Sequence, residues 1–363
     1  MTWLLVSTCF ALGPSSLADD SKGNTLVSIR KELAEQGHAR SQYNLAVRYA
    51  RGEGVIQDYK EALKWFRLAA EQGDAQAQYK VGRSYAIGEG VFQNAEEAVK
   101  WFRLAAEQGH ATAQYHLGAS YVIGEGVLQD YEEALKWYRL AAEQGDAWAQ
   151  HALALFYING KGVLQDYKEA VKWYRLAANQ GHAPSQNNLG VRYERGEGTV
   201  QDHKEAVKWY RLAANQGHAR SQYNLGASYA MGEGVLQDYE EAVKWYRLAA
   251  EQGDAGAQYQ LALSYDKGHG VPQDYKEAVK WYRLAAKQEL AVAQHNLGVS
   301  YAKGEGIIQN DVFGYMWLNI AATAGYKASA EDRSKLSARM TASDLSKARQ
   351  LARECVKKEY KGC

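Results

Sequence analysis

A block of 36 residues recurs without a gap from Glu35 to Ala322, eight times over, and no other feature limits the fold of this chain as strongly. The copies start at Glu35, Glu71, Glu107, Glu143, Asn179, Asn215, Glu251 and Lys287. A fixed period of about 20–50 residues marks an architecture in which each unit buries its apolar face only against its neighbours. The chain has 363 residues, long for one compact core, and stacked repeats escape that limit. Only 3 residues are Pro, which suits an almost wholly helical chain. The expected fold is all-α, a superhelical solenoid of helix-turn-helix repeats.

With the repeat numbered 1 to 36, position 4 is His or Asp in His38, Asp74, His110, Asp146, His182, His218 and Asp254. These are the predicted N-caps of a first helix, helix A, with Asp the better cap. Helix A runs to the Tyr of position 15 and stops at a G-E-G such as Gly124-Glu125-Gly126, where Gly supplies the backbone freedom to turn. Helix B opens with D-x-x-E, as in Asp58 and Glu61 or Asp130 and Glu133. That spacing resembles a capping box, with Glu returning to the cap. It breaks in the last copy, where Asn310 is followed by Phe313. Tyr131, Ala134, Leu135, Trp137, Tyr138 and Leu140 spread over more than half the circle of helix B, which predicts a helix buried between layers. The Trp ladder, one per repeat from Trp65 to Trp317, reads as core. Full burial of each indole is worth ~4–6 kcal/mol gross.

The copies also differ from one another. In helix A, positions 5, 8, 11, 12 and 15 hardly change, whereas positions 6, 10, 13, 14 and 17 change freely. On a helical wheel the two sets face opposite ways, so the constant face packs and the variable face is exposed.

Leu117, Gly118 and Tyr121 carry an x-L-G-x-x-Y pattern, and Glu133 to Ala142 carry E-A-[VL]-K-W-[YF]-R-L-A-A. Together they closely resemble the Sel-one-like repeat (SLR), a relative of the tetratricopeptide repeat, over Glu35–Ala322. The resemblance implies a right-handed superhelix of helix pairs. It also implies a non-enzymatic adaptor or scaffold that binds a protein or extended peptide. In tetratricopeptide-like superhelices helix A lines the concave groove, which places the variable face inside it.

Along that face the first repeats present Arg40, Arg48, Arg51, Lys80 and Arg83. The middle presents Ile87, Ile123, Trp148, Leu155 and Phe156, and later come Arg192, Arg195, Arg220, Met231, Lys267 and Lys303. A basic groove with an apolar centre suits an extended peptide with acidic groups and apolar anchors. Trp148, Leu155 and Phe156 are the expected anchor, Ile123 a further expected contact, and Arg48, Arg83 and Arg192 the flanking charges. Trp148 stands seven and eight residues before Leu155 and Phe156, two helical turns, so the three can share one side. The Lys136 and Arg139 stripe of helix B is the alternative surface.

Outside the repeats, Met1–Ala18 resembles a secretory signal peptide, with an apolar run from Trp3 to Gly13 but no Lys or Arg before Lys22. The run is too short to span a bilayer. Residues 19–34 read as an N-terminal capping helix, with Leu26, Ile29 and Leu33 on one face, and residues 323–363 as C-terminal capping helices. Cys355 and Cys363 either close a small loop in an oxidising compartment or remain free thiols. The expected location is secreted or periplasmic in a bacterium, and the expected state is a monomer.

Lys plus Arg is 43 and Asp plus Glu 42, which gives no global reason to expect nucleic acid or an anionic membrane. No nucleophile triad, HExxH, Walker loop or EF-hand is present. The nine His fall mainly at whole-repeat spacings, too far apart to share a metal, so no metal or cofactor is expected. Some Sel-one-like relatives are linked to binding or hydrolysing cell-wall-type β-lactams, so a secreted or periplasmic hydrolase is the alternative that the resemblance alone supplies.

Overall fold

The computed structural model describes residues 31–363, which are helical with short turns. The signal-peptide stretch and most of the N-terminal cap lie outside the described residues; residues 31–35 are helical. The chain divides into two compact units, the first ending at Gln165 and the second running Asp166–Cys363. In the first unit the A helices are α1 (Ala39–Arg51), α3 (Ala75–Ile87), α5 (Ala111–Ile123) and α7 (Ala147–Asn159). Its B helices are α2 (Tyr59–Glu71), α4 (Ala95–Glu107) and α6 (Tyr131–Glu143). The second unit opens with the B helix α8 (Tyr167–Asn179). The pairs α9 (Ala183–Arg195) and α10 (His203–Asn215), then α11 (Ala219–Met231) and α12 (Tyr239–Glu251), follow. Next come α13 (Ala255–Lys267) with α14 (Tyr275–Lys287), and α15 (Ala291–Lys303) with α16 (Asp311–Thr323). It closes with α17 (Lys327–Ser337) and α18 (Ala342–Lys357).

The turn chemistry explains why the helices begin and end where they do. The Asp58 carboxylate accepts the N–H groups of Lys60 and Glu61 at 2.9 and 3.0 Å, an N-cap repeated at Asp130, Asp166 and Asp274. The reciprocal half of the expected capping box is not made. The Asp58 N–H is already donated to the Tyr49 carbonyl at 2.9 Å, so Glu61 turns outward to Lys64 at 3.3 Å. The same N–H to Tyr carbonyl bond ties Asp130 to Tyr121 and Asp238 to Tyr229, locking the end of helix A to the start of helix B. The second Gly of the G-E-G turn has a separate task. A Cβ on Gly90 would stand 2.3 Å from the Tyr59 carbonyl oxygen, so only glycine lets this turn meet the preceding B helix.

Each unit buries a ladder of position-11 aliphatics: Leu45, Val81, Leu117 and Leu153 in the first, Leu189, Leu225, Leu261 and Leu297 in the second. Position 12 is Gly or Ala because the ring of helix B lies on it. A Cβ on Gly118 would meet Tyr138 Cδ1 at 2.8 Å. Within each unit helix B packs on the A helices beside it in the chain and buries one face, as Ala134, Tyr138, Ala141 and Ala142 show. The expectation of a helix buried most of the way round is therefore corrected: Leu140 is exposed, as are Leu68 and Leu104. In the Trp ladder only Trp65 and Trp317 are fully buried, and the other six are half-buried. Helix B packs on one side, and leaves an edge of these six indoles in solvent.

At the C-terminal end, Leu336, Ala348, Tyr315 and Leu318 form one apolar cluster, and Arg339 holds the Asp311 carboxylate with two bonds of 2.9 and 2.6 Å. Cys355 and Cys363 are joined in a disulfide. Among the described residues no helix is long and apolar enough to cross a membrane.

Candidate partner-binding face

Positions 6 and 17 stand at the two ends of helix A and both face solvent. Arg40, Trp148 and Arg220 at position 6 are exposed, and so are Ile87, Ile123, Met231 and Lys303 at position 17. Trp148, in the first turn of α7, is 56% exposed and Ile123, at the end of α5, 68% exposed. Eleven residues of helix separate positions 6 and 17, roughly 16 Å of rise, so Trp148 and Ile123 lie at opposite edges of the face. Leu155 is half-buried between them.

Phe156 does not belong to this face. It is 5% exposed, with ring centroids 5.4 Å from Tyr138 and 6.1 Å from Tyr131, both edge-on. Position 14 points back at the preceding B helix, which is why Ser84, Ser228, Ser264 and Ser300 are buried there too. The wheel placed position 14 outside because its residues vary, and the variation reflects what each B helix offers to pack against. The expected three-residue anchor is thus reduced to Trp148 and Leu155.

Among the expected charges, Arg83 is exposed on α3 and Arg48 is half-buried on α1. Arg192, in the second unit, is engaged internally: it pairs with Glu197 and lies 5.9 Å over the Tyr167 ring. The alternative stripe on helix B is similarly committed. Arg139 donates to the Tyr157 hydroxyl at 3.1 Å and Lys136 pairs with Glu133.

Two clefts open between successive A helices. In the first unit a cleft of about 490 Å³ lies between α1 and α3, floored by Tyr59 and Phe66 of α2. Arg51, Lys80 and Arg83 enter it, with Glu89 at its edge. Lys80 is half-buried and its pKa is held below the ordinary lysine value, first by burial and then by the like charges of Arg83 and Arg51. In the second unit the same position in the repeat, between α13 and α15, forms a cleft of about 550 Å³ floored by Tyr275 and Tyr282. There Asn296 and Val299 stand where the first cleft has Lys80 and Arg83, and Asp266 stands where it has Ala50. Neither cleft is legible from the repeat alone, because each needs two neighbouring repeats. The one signal was the basic drift at positions 10, 13 and 17.

A further exposed row follows the A–B turns at position 22: Ile56, Phe92, Leu128, Leu164, Val200, Leu236 and Ile308. These side chains vary in shape and remain apolar, and Phe92 is 96% exposed.

Tandem helix pairs with a packed constant face and an open variable face define an all-α repeat protein of the solenoid class. The Sel1 repeat model matches eight times, over residues 39–74, 75–110, 111–146, 149–182, 183–218, 219–254, 255–290 and 291–326. The chain belongs to the Sel1 repeat family, whose repeats generally serve as protein-interaction scaffolds. Among solved structures it is similar to a Sel1 repeat protein from Oxalobacter formigenes, with 32% identity over 92% of this chain and 98% of that one, at a TM-score of 0.65. It is also similar to a protective antigen present in uropathogenic Escherichia coli strains, with 31% identity over 91% of this chain and 87% of that one, at a TM-score of 0.49. No curated protein matches the chain.

Proposed function

We propose that this protein is a non-catalytic scaffold that binds a protein partner, through an extended segment, on the exposed face of its A helices. The observation that carries the reading is the contrast within single helices. Leu153 of α7 is wholly buried, while Trp148 on the same helix exposes more than half its surface. A large aromatic held in solvent by a rigid helix is the residue type most often found at binding hot spots. The clefts between successive A helices are of ligand-binding size and give such a segment places to seat side chains. The disulfide between Cys355 and Cys363 supports a working place in an oxidising compartment, secreted or periplasmic.

Photo-crosslinking residues introduced singly at Ile87 and Ile123 of the A face, and at Leu104 and Leu140 of the B face, test the reading. A partner trapped from Ile87 and Ile123 and not from the B face is the expected result. Crosslinks confined to Leu104 and Leu140 would overturn it.

A further inference from the structure

We propose that the cleft between α1 and α3 is a site for a carboxylate with an aromatic or branched apolar group beside it. This rests on the reading above and names the chemistry of one part of the face. Arg51, Lys80 and Arg83 converge on the cleft, and among the described residues neither Lys80 nor Arg83 has a carboxylate within ion-pair distance. Of the three cations only Arg51 has a carboxylate partner, Glu53 at 3.3 Å on the open surface, while Lys80 lies 5.7 Å over the Tyr79 ring. Burying a lysine part-way beside two other cations is unfavourable, and the arrangement is relieved when an anion enters. Beside the cations, Asn44, Ser84 and Glu89, part of the lining is apolar, formed by Val47, Phe66 and the ring of Tyr43. An inorganic anion would leave those walls without a partner, whereas an organic carboxylate satisfies both surfaces.

The second unit supplies an internal comparison. The cleft between α13 and α15 is built from the same repeat positions, yet holds Asn296 and Val299 in place of Lys80 and Arg83. The repeat thus folds without cations at positions 10 and 13, and packing does not require them. Two sources carry this chemistry, the C-terminus of a peptide and an acidic side chain next to an apolar one.

The test is calorimetric titration of the full chain with four probes. They are a short acetylated peptide ending in a phenylalanine carboxylate, the same peptide as its amide, an amidated peptide with an internal aspartate-phenylalanine pair, and inorganic phosphate. At least one carboxylate peptide is expected to bind about tenfold more tightly than the amide, and more weakly as salt rises. Which of the two binds better identifies the source. The double variant Lys80→Asn, Arg83→Val is expected to lose about tenfold or more in affinity with an unchanged melting temperature, since the sibling cleft carries that pair. Equal binding of the amide, phosphate binding as tight as the peptides, an unaffected double variant, or no binding of any carboxylate at millimolar concentration would each overturn the proposal. If the probes fail while Ile87 and Ile123 still trap the partner, the cleft assignment alone is wrong. If the crosslinks fail too, the reading of the face falls with it.

Discussion

The Gln72 side chain donates to the Gln42 amide oxygen at 2.7 Å, and Gln42 in turn donates to the Ala34 carbonyl at 3.1 Å. Ala34 lies in the helix before α1, Gln42 within α1, and Gln72 at the end of α2, so one pair of amides links three helices. The buried Gln is a second donor to a carbonyl at the end of a helix, which also accepts the N–H of the turn glycine, as Ala34 does from Gly37 at 3.1 Å. The motif recurs through Gln78 and Gln108, and through Gln114 and Gln144. In the second unit it runs through Gln186, Gln222 and Gln258.

Gln114→Ala should cost about 1 kcal/mol, because it removes two hydrogen bonds while the Ala106 carbonyl keeps the Gly109 N–H and the Gln144 amide keeps the Leu140 carbonyl. Urea unfolding checks this. The ladder ends at Gln294, whose Oε1 is buried with no partner among the described residues because Ala324 occupies the place of the next glutamine. Ala324→Gln should therefore stabilise the protein, by about 1 kcal/mol, and a lower melting temperature would count against this account.

The last A helix carries two local faults. Glu289 has φ 65° where the other repeats place glycine, and Leu290 caps α15 without a side-chain bond. Glu289→Gly and Leu290→Asp should each raise stability by about 1 kcal/mol. Asp254 shows the cap that would form, accepting the Ala257 N–H at 2.8 Å. Thermal unfolding of the two single variants checks both.

Stability should fall on mild acidification. His110 accepts the Ala113 N–H at 3.2 Å through Nδ1, a bond that only the unprotonated nitrogen makes. Burial lowers its folded pKa, and burial likewise lowers those of His116, His218 and His295. The unfolded chain thus takes up these protons first. The stabilisation is complete above the free histidine pKa of about 6.5 and is lost as pH falls through that value toward the lower folded values. Each such histidine adds a slope of up to about 1.4 kcal/mol per pH unit inside its window. His110→Asp, copying the cap that Asp74 gives α3, should flatten the fall between about pH 6.5 and 5 in urea titrations.

Phe156→Ala and Trp148→Ala should separate folding from binding. The first removes a ring packed on Tyr138 and should cost about 3–5 kcal/mol. The second should change stability much less and weaken the partner complex by about 2 kcal/mol or more. Calorimetric melting and a binding titration of each variant check the pair.

Phe92→Ser and Leu128→Ser should leave the melting temperature within about 2 °C, since both side chains are almost fully exposed. The variants should also bind less of a hydrophobic dye, read by fluorescence.

What the sequence determined by itself was the period and most of what acts within one or two helical turns. The Asp N-cap of helix B, the glycine stops and the buried ladder from Leu45 to Leu297 depend on local backbone geometry and one helical face, and so were written in a single copy. The tertiary structure decided whatever depends on how separate helices pack. Phe156 looked exposed by its variability and is buried, because position 14 turns toward the B helix before it. Leu140 looked buried by its chemistry and is exposed, because helix B has neighbours on one side. Glu61 looked like the returning half of a cap and is not, because the Tyr49 carbonyl takes the N–H first. The cationic cleft at Lys80 and Arg83 belongs to the same class: its residues lie on different elements from its floor, and only packing brings charge, aromatic ring and open space together.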